Sequence, residues 1–109
     1  MNIDAILPAD ACADMNAVRM QIDRLDRALV RLLAERLTYI ERAGALKQSR
    51  ETVRDEWRIQ DVLAKVLAES RRIGLPSRIA EPVWRALMEN SIAHEFDVFD
   101  ARKENQAAR

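Results

Sequence analysis

From Val18 to Leu46 apolar side chains return at steps of four and three: Val18, Ile22, Leu25, Leu29, Leu32, Tyr39, Ile40, Ala43 and Leu46. Such spacing marks a helix with one apolar stripe, and neither glycine nor proline interrupts it before Gly44. The pattern predicts a single helix from Asp14 or Met15 to about Ser49. About 35 residues of helix span roughly 52 Å, more than the width of a globule of 109 residues. What remains of the chain is too short to cover a stripe of that length. The uncovered part is therefore expected to meet a second copy, giving an intertwined homodimer.

The remainder also reads as helix. Asp55 is suited to cap a second helix over 56–73, whose stripe is Ile59, Val62, Leu63, Val66, Leu67 and Ile73. Gly74 and Pro76 supply its stop. Ser77 opens a third helix to about Asp100, with a stripe of Val83, Trp84, Leu87, Met88, Ile92, Phe96 and Phe99. Pro82 comes late for a first turn, so that helix is expected to begin irregularly. Two glycines, three prolines and few aromatics leave little material for strands. The expected fold is all-α: a helical domain over 14–100, a flexible tail over 1–13, and a polar, fraying tail over 101–109.

Eighteen basic residues balance eighteen acidic ones, so no net field draws the chain to nucleic acid or to an anionic membrane. No apolar run approaches the roughly 20 residues that cross a bilayer, and "MNIDAILPADACAD" lacks the form of a signal peptide. A lone Cys12 forms neither an internal disulfide nor a cysteine-rich metal site. His94 stands without the second histidine of a zinc motif. These features predict a cytoplasmic protein with no metal and no cofactor. Trp57 and Trp84 read as packing residues, with a stacking role for Trp57 as the alternative.

Two cations break the long stripe. In the series 18, 22, 25, 29, 32, 36, 40, 43, 47 the places of Arg36 and Lys47 call for apolar side chains. Their separation turns a helix only about 20° past three full turns, so both point the same way, roughly 16 Å apart. On the third helix the series 84, 88, 91, 95, 99 puts Ser91 and Glu95 in an apolar face. Two explanations fit. Each cation snorkels or pairs with a carboxylate on a neighbouring helix, Glu95 with Lys47 for instance. Alternatively the cations converge on a small anionic ligand, Arg in a bidentate contact and Lys as a point charge. Arg19 lies about 25 Å from Arg36 along the helix and about 100° round it. Both can touch one small ligand only if Arg19 comes from a second copy.

The runs "VRMQIDRLDRALVRLLAER", "AGALK", "VRDEWRI" and "ENSIAHE" together resemble the all-helical class of chorismate mutases, over about Ala17 to Phe99. The resemblance implies an intertwined homodimer with two equivalent sites that converts chorismate to prephenate, for aromatic amino-acid biosynthesis. It implies that Arg36 holds a substrate carboxylate, and that Arg19 reaches in from the partner chain. Lys47 would bind a carboxylate and the ether oxygen of the breaking bond. Asp55, Arg58 and Ser91 match residues at the mouth and wall of the pocket. The reaction is an intramolecular rearrangement that needs no nucleophile, metal or cofactor. A protein accelerates it by holding a compact chair-like conformer and by aiming donors at the charge growing on the ether oxygen.

The chain leaves the family pattern at two places. Glu95 stands where many members carry a glutamine that donates to the ether oxygen, so Glu95 must be protonated to do the same. Ile59 stands where typical mutases place a glutamate that bonds the ring hydroxyl. Related isochorismate pyruvate-lyases, which form salicylate, tend to be apolar there, and this keeps a lyase as the alternative activity. A rival of another class is a non-enzymatic helical dimerisation module, in which the seam polars only set register.

Overall fold

The structure, a computed structural model, describes residues 5–108 of the 109. The outer parts of both expected tails, residues 1–4 and Arg109, lie outside the described residues. The expected all-α class holds. Three α-helices, α1 Met15–Leu46, α2 Glu56–Ile73 and α3 Ser77–Ala107, are joined by short segments, with 3-10 turns at Ala9–Ala11 and Arg50–Thr52. No strand occurs among the described residues. No helix there is long and apolar enough to cross a membrane. The chain divides into two compact units, Met1–Arg36 and Leu37–Arg109.

In the first unit the helix starts where the sequence predicts. The Asp14 carboxylate accepts from the Ala17 amide at 2.8 Å, which satisfies a donor left over at the N-terminus of α1. Gln21 Nε2 donates to the Ala5 carbonyl at 2.9 Å, tying the preceding segment back on to α1. The apolar stripe stays uncovered: Ile22 is 50% exposed, Leu25 50%, Leu29 55% and Leu32 60%.

The second unit holds the core. Ile59 and Leu63 of α2 pack with Met88 of α3, and Val62, Leu67, Trp84 and Ile92 close round them. Asp55 caps α2 as expected, its side chain accepting from the Arg58 amide. Gly74 ends it in the left-handed region at φ 82°, with the Leu75 amide reaching back to the Ser70 carbonyl at 2.9 Å. A side chain there would be strained by that φ alone, which is why glycine occupies the turn. Arg54 grips Glu89 of α3 with two 2.9 Å hydrogen bonds and reaches Glu56 at 2.7 Å, holding the start of α2 to α3.

Four expectations need correcting. The helix α1 ends at Leu46, short of Ser49, because Arg102 takes up the carbonyls of Ala45 and Lys47 that a continuing helix would have used. Helix α3 begins regularly, with the Ile79 and Ala80 amides donating to the Pro76 carbonyl at 3.0 and 3.2 Å. Pro82 then sits inside the helix on its exposed side. The same helix runs past Asp100 to Ala107, since Arg102 and Lys103 lie over the ring of buried Phe99 at 5.0 and 5.4 Å. Trp57, read as a packing residue, is 74% exposed on the outer face of α2, whereas Trp84 does pack against the core.

Candidate functional site

Lys47, in the second unit, is the first residue beyond α1, and its ammonium turns towards α3. Nζ donates to Glu95 Oε2 at 2.5 Å and to the Val53 carbonyl at 3.3 Å. Two of its three N–H groups are thereby engaged. The Glu95 side chain is 6% exposed and that of Lys47 28%, so the carboxyl is interior and the ammonium stands at the edge. The approach is made possible by Gly44. A Cβ there would lie 3.2 Å from Glu95 Cγ, from the Glu95 carbonyl oxygen and from Val98 Cγ1. The glycine that interrupts the sequence pattern therefore marks a point of close packing between α1 and α3.

Ser91 sits one turn before Glu95 on the same face of α3, buried, with its hydroxyl donating to the Leu87 carbonyl at 2.7 Å. Ile59 is buried in the core cluster and offers only an apolar wall. Asp55 is engaged as the α2 cap. The exposed guanidinium of Arg58 pairs with Asp61 at 2.6 Å. Hydrogen bonds from Lys65 and from Arg58 hold the Asp61 carboxyl below the usual carboxylate range. Arg19 and Arg36 belong to the first unit, the former exposed and the latter half-buried. Lys47 and Glu95 are thus in direct contact, with Ser91 beside Glu95 along one helix face. Asp55 and Arg58 are occupied with their own helix.

Arg102 escaped the sequence reading, which assigned it to a fraying tail. Its guanidinium donates to the Ala45 carbonyl and, at 2.6 Å, to the carbonyl of Lys47 itself. A signal for it exists. The seam of α3 at 84, 88, 91, 95 and 99 extends by one more step of three to position 102. Arg54 and Glu89 escaped as well, because neither interrupts an apolar stripe.

The partly exposed ammonium of Lys47 pairs with the buried carboxyl of Glu95, and the buried hydroxyl of Ser91 lies one turn away on the same helix face. An ammonium with a donor to spare can bind an oxygen of an anionic ligand. The sequence profile of the family described as "Chorismate mutase type II" matches residues 18–96. The chain belongs to that family. The matched span takes in Arg19, Arg36, Lys47, Asp55, Arg58, Ile59, Ser91 and Glu95, while Arg102 lies beyond it. The chain is similar to a protein named T-protein from Enterobacter agglomerans, with 34% identity over 86 residues. That alignment covers 78% of this chain and 23% of the relative, so the chain spans about a quarter of the length of the curated relative it matches.

Proposed function

We propose that this all-α chain acts as a chorismate mutase, converting chorismate to prephenate in the cytoplasm as a homodimer with two equivalent sites. The observation that carries the reading is the Lys47–Glu95 contact at 2.5 Å, a cation and an interior carboxyl within the span that matches the family. The rearrangement breaks a carbon–oxygen bond and forms a carbon–carbon bond within one molecule. Negative charge grows on the ether oxygen as it does so. Lys47 serves as the cation facing that oxygen and a neighbouring carboxylate. Glu95 takes the place of the family's glutamine beside the same oxygen, and Ile59 closes the pocket with an apolar wall. Arg36, and Arg19 from a second copy, hold carboxylates and so fix the reactive conformer. Asp55, Arg58 and Ser91 complete the mouth and wall. These roles rest on the family resemblance, and the buried positions of Ser91, Ile59 and Glu95 support them.

The test is incubation of the purified chain with chorismate and, separately, with isochorismate from acid to neutral pH. Formation of prephenate is the expected result. Salicylate and pyruvate from isochorismate, without prephenate from chorismate, would replace the mutase by the lyase. With no product from either, the dimerisation module becomes the better account. Arg36→Leu separates the classes further: an enzyme loses turnover while still folded, whereas a module keeps its assembly and has no turnover to lose.

A further inference from the structure

Lys47 follows the last residue of α1. Its amide still donates to the Ala43 carbonyl at 3.1 Å, but the final carbonyls of the helix have no partners within it. A lysine in that place does not hold its ammonium in a fixed position unaided. We propose that Arg102 is the positioning residue for Lys47, clamping the end of α1 so that the ammonium meets Glu95 in a fixed geometry. The proposal builds on the functional reading above for its catalytic consequence, though the clamp itself does not depend on that reading.

Three observations converge on it. The guanidinium donates to two carbonyls, those of Ala45 and Lys47, so one planar fork spans the end of the helix. Its plane is carried by the Phe99 ring, with the charged carbon 5.0 Å from the centroid, and Phe99 is itself buried in α3. Its Nε is buried without an acceptor. The ammonium of Lys47 is held separately by Glu95 and Val53. Backbone and head group of one side chain are thus fixed from different directions. Glu95, Phe99 and Arg102 follow one another along α3, so the clamp and the carboxyl move together.

The experiment compares wild type, Arg102→Ala and Arg102→Lys, using nitrogen-15 NMR of the Lys47 ammonium in the ligand-free protein and chorismate kinetics. The wild type is expected to show a slowly exchanging Lys47 ammonium signal. In Arg102→Ala that signal broadens or vanishes with helix content retained, and kcat falls by about tenfold or more while KM changes much less. Arg102→Lys keeps the charge but loses the planar fork, and restores part of both. Should Arg102→Ala fail to fold, Arg102→Lys against wild type carries the same comparison. An unchanged Lys47 signal in a folded variant overturns the proposal, and so does a loss confined to thermal stability. A wild type that does not turn over chorismate overturns the mutase reading instead, and the NMR comparison still decides the clamp.

Discussion

At the scale of the residue, the proposed chemistry rests on how one ammonium divides its donors. A buried carboxyl needs a partner, and Glu95 has one in Lys47. Lys47→Met removes the cation and strands Glu95 in the interior. Turnover is then expected to drop by about a hundredfold or more, with a lower melting temperature, both measurable on the purified variant. Under the proposed mechanism Glu95→Gln places an amide donor facing the ether oxygen, so it is expected to retain turnover, whereas Glu95→Ala is expected to lose it; loss of turnover in both folded variants sinks that role for Glu95. Gly44→Ala tests the close approach of α1 and α3. Alanine gains about 1 kcal/mol of helix propensity over glycine, but overpacking costs about 1–3 kcal/mol. Two of the atoms that the new methyl meets at 3.2 Å are a backbone oxygen and a methyl of β-branched Val98, neither of which swings aside. The variant is expected to be less stable in urea and slower, because Glu95 is pushed from its place.

At the scale of the element, α2 was fully legible because both its ends are written in local chemistry. Asp55 and Gly74 each do by themselves what a helix terminus requires. The ends of α1 and α3 were not legible, since a residue on one fixes the other: Arg102 stops α1 at Leu46 and α3 runs on past Phe99. The Lys47–Glu95 pair was readable because both residues interrupt apolar stripes. Arg54 and Glu89 interrupt none, and are paired only by the packing of the start of α2 against α3. Their contact makes a prediction about pH. Hydrogen bonds from Arg54 hold the Glu89 carboxyl below the usual carboxylate range. A depressed carboxyl stabilises the fold above its unfolded value, and that contribution is lost as pH falls from there through the folded one. Both groups are substantially exposed, so the effect is small and weakens with salt. Glu89→Gln is expected to give a shallower fall in melting temperature on the acid side at low salt, and no difference in strong salt. Parallel acid limbs for the two proteins would contradict it.

At the scale of the whole molecule, the uncovered stripe of α1 carries the argument. Ile22, Leu25, Leu29 and Leu32 are at least half exposed, and no large side chain among the described residues is fully buried. Apolar surface of that kind seeks a partner, and a second copy fits because the proposed site draws Arg19 from one. Mixing two inactive variants tests both points together. Arg19→Ala lacks the arginine lent to the other copy, and Lys47→Met lacks the cation of its own site. In a mixed dimer one site takes Lys47 from the first variant and Arg19 from the second, and is whole. The other site lacks both. Random reassembly makes half the dimers mixed, each with one whole site of two, so activity is expected to return to about a quarter of wild type. Each variant alone stays inactive, and light scattering reports twice the monomer mass throughout. If Arg19 acted within its own chain, every site in the mixture would remain broken and no activity would return. Recovery on mixing therefore requires that the copies exchange an arginine across their interface.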